Sequence, residues 1–187
     1  MHAEQAGAAA EHQPLFRLSL RILDENGAPV FYKSDEGRGF GKENTIKVVA
    51  SDEYSIEVEL DDLGRTVSSI SQVSIDGTVM SAIERRAAYN EQSENNIFVI
   101  IGNWTPPAAS TKRGDREVML ISLEYQHGST SMTMEFHLQM KIYDTAKQAR
   151  GGYSKRLKSA VCRYDLAKGI ERWSYLEDTE FDRQNKR

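Results

Sequence analysis

The chain has 187 residues, 39% of them hydrophobic and 28% charged, with 24 Lys and Arg against 28 Asp and Glu and a net charge of -4. That length fits one domain with tails and is enough to bury a sizeable apolar core. The acidic balance excludes the overall basic footprint of a nucleic-acid binder.

Residues 1–13 are rich in Ala, Glu and Gln and carry no apolar stripe. They are expected to be a disordered tail, since they have little to bury against the cost of ordering. From Pro14 the pattern changes. Phe16, Leu18, Leu20 and Ile22 alternate with Arg17, Ser19 and Arg21. Period two means one buried and one wet face, hence a strand. Asp24, Glu25, Asn26 and Gly27 then turn the chain, and residues 30–33 predict a short second strand.

Gly37, Gly39, Gly41 and Lys42 invite comparison with a phosphate-binding loop. Glu43 stands where that loop needs Ser or Thr, and strand-like residues follow instead of a helix. The glycines are read as shaping a hairpin. Ile46 and Val48 oppose Thr45 and Lys47, and Tyr54, Ile56, Val58 and Leu60 alternate with Ser55, Glu57 and Glu59. Both segments predict strands. Val73 and Ile75 end another, Asp76-Gly77 is a hairpin signal, and residues 79–83 predict the returning strand. Residues 85–96 are polar and read as a loop. Residues 97–101 suit a central strand, and residues 118–125 a further one.

The longest alternation runs through Met132, Met134, Phe136, Leu138, Met140 and Ile142. Two readings stay open for it: core packing, or an adaptable apolar surface able to line a cargo site, because methionine is flexible and fills irregular gaps. Residues 144–160 follow as a basic loop with Lys147, Arg150, Lys155, Arg156 and Lys158 and no acid between Asp144 and Asp165. Such a patch can hold an acidic peptide or simply be solvated. Residues 160–166 and 171–176 predict a final strand pair, and residues 177–187 a frayed, charged end. About ten strands without a long helix predict an all-β fold: an antiparallel β-sandwich or flattened β-barrel spanning residues 14–176 as one domain.

The chemistry-bearing residues do not assemble into a reaction centre. Of the four histidines, His2 and His12 lie in the tail, and His137 shares the polar face of a strand with Glu135. Two ligands are short of a metal site, so no metal, cofactor or catalytic residue is expected. Cys162, the single cysteine, cannot close an internal disulfide and reads as a buried thiol in a reducing compartment. Apolar runs are too short to span a bilayer as helices, and the N-terminus lacks the basic start and apolar core of a signal peptide.

The pieces Pro29-Val30-Phe31-Tyr32-Lys33, Phe40-Gly41, Thr45-Ile46-Lys47, Tyr54-Ser55-Ile56-Glu57-Val58, Val73-Ser74-Ile75-Asp76-Gly77 and Gln139-Met140-Lys141-Ile142-Tyr143 occur in an order and spacing that resemble the cannabinoid receptor-interacting protein family. Trp173 is similar to a tryptophan near the family's C-terminal end. Gly39, inserted between Arg38 and Phe40, and extended termini mark a distant member, from an invertebrate or a unicellular organism. The resemblance implies a barrel similar to the Rho GDP-dissociation-inhibitor fold. It implies a non-enzymatic, monomeric cytoplasmic protein that binds the C-terminal tail of a G-protein-coupled receptor and damps its signalling, reaching the membrane through that partner. Tail-binding basic residues of the family would fall near Arg86 and Lys147. The alternative is a carrier that shields an acyl or prenyl group along Met132, Met134, Phe136, Leu138 and Met140.

Overall fold

A computed structural model describes residues 15–34, 44–62, 67–80, 82–87, 96–165 and 168–181, with the side chains at 15, 82–87, 96 and 170 outside that description. The alternating segments form β1 (Leu15–Leu23), β2 (Phe31–Ser34), β3 (Asn44–Val49), β4 (Tyr54–Asp62), β5 (Ser69–Ile75), β6 (Thr78–Val79), β7 (Ala82–Ala87), β8 (Asn96–Trp104), β9 (Glu117–His127), β10 (Thr130–Tyr143), β11 (Ser154–Asp165) and β12 (Ile170–Glu177). One short helix, α1 (Ala146–Arg150), precedes β11. The 12-stranded sheet runs β6-β5-β9-β10-β3-β2-β11-β1-β4-β8-β7, with β12 added on β11. It curls until it is nearly closed into a barrel.

The alternation explains which way each strand faces. Phe16, Leu18, Leu20 and Ile22 are fully buried while Arg17 and Arg21 are exposed. On β10, Met134, Phe136, Leu138, Met140 and Ile142 are at most 2% exposed and join one core cluster with Ile46, Val58 and Cys162. Met132 is half-buried and packs against that cluster. Each such side chain contributes about 1.5–3 kcal/mol by leaving water, so the run stabilises the barrel strongly. Where the chain must turn back tightly, the residue types fit. Asp76 and Gly77 take φ of 48° and 80° between β5 and β6, as a two-residue hairpin requires.

Three expectations change. The arrangement is mixed, since β3 and β10 run parallel with Met140 opposite Ile46 and Lys141 opposite Lys47. β3 takes its direction from β2 and β10 from β9, both antiparallel ladders, and nothing local relates the two. The returning strand expected over residues 79–83 is two strands with different partners: β6 joins β5, and β7 joins β8. The last long strand begins at Ser154, earlier than the alternation indicates, because a bulge between Leu157 and Ser159 breaks the period there. The glycine loop at residues 37–41 and the N-terminal tail lie outside the described residues.

Helix α1 is too short to persist alone. Thr145 and Gln148 form a reciprocal capping box at its start, and Gly151 ends it with an extended conformation. Its buried Ala149 packs toward β3 and β10. That cover explains why β3 is buried on both faces, with Lys47 6% and Val49 9% exposed on the outer side.

Candidate binding surface

The outer face of β3 gathers cations from four elements. Lys47 lies in register between Lys141 of β10 and Phe31 of β2. Lys33 pairs with Thr45 one step along. Arg116, just before β9, donates from Nε to Thr45 Oγ1 at 3.3 Å and from Nη1 to its neighbour's carbonyl, Asp115 O, at 2.9 Å. Lys47 Nζ donates to Gly151 O at 2.9 Å and to Ser154 Oγ at 2.5 Å, so its head is tied to the end of α1. Burial, and then the charges of Lys33, Lys141 and Arg116, hold the Lys47 ammonium below its ordinary pKa. The like charges therefore reach one another. A region in that state favours an anion strongly, because each added negative charge relieves repulsion as well as gaining attraction.

The basic residues singled out from the sequence sit on α1, β7 and β11. Lys147 and Arg150 are exposed on α1. Lys155 pairs with Glu177 at 3.3 Å. Arg156 points to the opposite face of β11, donates to Pro29 O at 2.6 Å, and stacks with its guanidinium 4.0 Å from the Phe31 ring and 5.0 Å from the Phe181 ring. Arg150 and Arg156 do line one small cleft of about 50 Å³ with Lys47, facing Asp24 and Asp52. Arg86 lies in β7, and its side chain is outside the described residues. Lys33, Lys47, Arg116 and Lys141 were missed because they are scattered over distant parts of the chain, each in an ordinary polar position of a strand or loop.

A second feature lies beside this face. β10 pairs with β9 along Thr130–Met140, but with β3 only from Met140 onward. β12 pairs with β11. Between β10 and β12 the described residues form no ladder, and side chains bridge the seam. The main-chain N–H of His137 donates to Glu171 Oε1 at 2.6 Å, and His137 Nδ1 lies 3.2 Å from Glu171 Oε2. The indole N–H of Trp173 also donates to Glu171 Oε1. His137 thus meets an acid from another strand and not Glu135, two residues away. Above this bridge opens a cleft of about 400 Å³ lined by Val118, His137, Leu138, Gln139, Trp173 and Tyr175, among others.

Cys162 is fully buried, and burial, then Glu171, pushes its thiol up to about 12. Among the described residues no three His, Cys, Asp or Glu side chains group as a metal site, and no helix is long and apolar enough to cross a membrane.

Fold and surface together define the class: an all-β, nearly closed barrel with a cationic outer face and an open seam. A family model described as CB1 cannabinoid receptor-interacting protein 1 matches residues 12–171. The bovine protein of that name is 31% identical over 136 residues, covering 72% of this chain and 76% of the relative. The human and mouse proteins of that name are 29% identical over the same shares. The chain belongs to the CB1 cannabinoid receptor-interacting protein 1 family.

Proposed function

We propose that this chain is a non-enzymatic cytoplasmic binding protein that holds an acidic stretch of a membrane receptor's cytoplasmic tail and damps that receptor's signalling by competing for the tail. The observation that carries this reading is the convergence of Lys33, Lys47, Arg116 and Lys141 in a chain whose net charge is -4. Local positive charge on an acidic protein speeds encounter with an acidic segment and sets its orientation. The names of the relatives, which describe them as interacting with a cannabinoid receptor, support a receptor as the partner class.

The test is a fluorescence-anisotropy titration of the full chain with a fluorescein-labelled peptide rich in Asp and Glu. Binding that tightens as salt is lowered and falls at least tenfold, about 1.4 kcal/mol, when Lys141 and Arg116 are both changed to Glu is the expected result. Affinity unchanged by those substitutions overturns the reading.

The carrier reading places an acyl or prenyl chain along Met132, Met134, Phe136, Leu138 and Met140. Of these, Leu138 also lines the 400 Å³ cleft, but it, Met134, Phe136 and Met140 are all at most 2% exposed within the core. A carrier would have to part that packing to admit a chain. The peptide-binding reading needs no such opening.

A further inference from the structure

A β-strand edge without a neighbour presents main-chain N–H and C=O groups that must find partners. Among the described residues, the stretch of β10 below Met140 has no strand laddered to it on the side away from β9. There the N–H of His137 is taken by a carboxylate of Glu171 at 2.6 Å, an oxygen standing where the carbonyl of an adjacent strand would be. The same carboxylate has two further partners, the His137 ring and the Trp173 indole, so it can leave that N–H without becoming an isolated charge. The cleft that opens here has aromatic walls, Trp173 and Tyr175, and an apolar rim at Val118, which is 54% exposed. Its volume of about 400 Å³ lies in the range of occupied sites, roughly 300–1,000 Å³.

The cleft is continuous with the cationic face. Gln139 lines it, and Lys141 is the next residue on that same face of β10, about 7 Å further along a strand. Asn44 lines it too, and the neighbouring Thr45 holds Arg116. A chain lying along the seam would therefore meet aromatic walls first and cations one or two residue pairs later.

We propose that the seam between β10 and β12 is the docking groove for an extended peptide carrying an apolar side chain and, within two to four residues of it, acidic side chains. The peptide adds along β10 as a strand, and one of its carbonyls replaces Glu171 on the His137 N–H. The apolar side chain sits against Trp173 and Tyr175, and the acids reach Lys141 and Arg116. This deepens the binding function proposed above and rests on it, since it names the groove and the partner's form.

Three labelled peptides titrated against the full chain test it: one with a Leu placed three residues from a run of Glu, one with that Leu changed to Ser, and one N-methylated at alternate residues around the Leu. The first is expected to bind at least tenfold more tightly than either of the others. In its complex the His137 amide remains protected from hydrogen exchange, and Glu171→Ala tightens binding several-fold because the competing oxygen is gone. Equal binding of all three peptides that is still lost on changing Lys141 and Arg116 to Glu overturns the groove while leaving the electrostatic reading standing. Binding of none of them overturns both. Should Glu171→Ala fail to fold, the comparison of the three peptides with the unaltered chain still decides.

Discussion

Lys47 and Lys141 stand side by side across the parallel ladder of β3 and β10, with their ammonium groups 5.4 Å and 5.7 Å from the ring of Tyr143. Two like charges in register on neighbouring strands oppose folding. The aromatic face and the Gly151 carbonyl offset part of that cost. The residual repulsion reaches the surface through Lys141, which is half-buried, and there an anionic partner would relieve it.

Replacing Lys47 should therefore separate stability from binding. Lys47→Met keeps the length of the side chain and removes a buried charge among cations. It is expected to raise the urea midpoint, by about 1 kcal/mol in stability, while weakening an acidic peptide several-fold. Equilibrium urea unfolding and the anisotropy titration check the two halves. A lowered midpoint would mean that the bonds to Gly151 and Ser154 outweigh the repulsion.

Alkali should destabilise the fold through two buried groups. Burial pushes Tyr54 up to about 12 from 10.0 and Cys162 up to about 12 from 9.0. In both, the folded value lies above the unfolded one, so the unfolded chain gives up its proton first. Their contribution is whole below pH 9 for Cys162 and below pH 10 for Tyr54, and it is lost as the pH climbs toward 12. Lys47 has the opposite sign: its lowered value makes unfolding take up a proton below 10.5, which slightly offsets the loss as the pH rises. At about 1.36 kcal/mol per pKa unit for each group, the rises from 9.0 and 10.0 to about 12 are expected to make the unfolding free energy fall by up to about 7 kcal/mol between pH 9 and 12, before allowance for exposure. Relative to its own stability at pH 8, the double variant Tyr54→Phe with Cys162→Ala should show a flatter curve.

Gly102 is a close-approach glycine in β8. A Cβ there would lie 2.7 Å from Met80 Sδ and 3.2 Å from Met80 Cα. The sulfur can swing away, but the main-chain carbon cannot without moving the segment after β6. Gly102→Ala is expected to cost about 1–3 kcal/mol, read as a lowered thermal midpoint with the circular dichroism spectrum of a β protein retained.

Arg156 gives a contrast with the exposed cations. Its guanidinium lies near the rings of Phe31 and Phe181 and bonds Pro29 O. Arg156→Ala should destabilise the fold by about 1–2 kcal/mol. Arg150→Ala, on the surface of α1, should stay within about 0.5 kcal/mol of the parent. Paired denaturation curves distinguish the two.

How far the sequence reached depended on the range of the interaction involved. The strand at β10 was legible because Met134, Phe136, Leu138 and Met140 alternate with Glu135, His137 and Gln139, and alternation is a property of neighbours. The Asp76-Gly77 hairpin was legible because its positive φ values are demanded within two residues. Lys155 and Arg156 looked like one patch because they are adjacent, yet adjacency on a strand sends side chains to opposite faces. The bulge at Leu157 hid the true start of β11 by breaking the period that reveals strands.

The chain's own order of residues determined that it forms an all-β barrel with its apolar side chains inside, since every strand carries its inward and outward faces in its alternation. Only the tertiary structure decided that β3 and β10 run parallel, that Lys33, Lys47, Arg116 and Lys141 share a face, and that Glu171 reaches across to His137. Local pattern says which side of a strand is oily. Which strand lies next to it, and so which charges meet, is settled when distant segments pack together, and no period in the sequence encodes that choice.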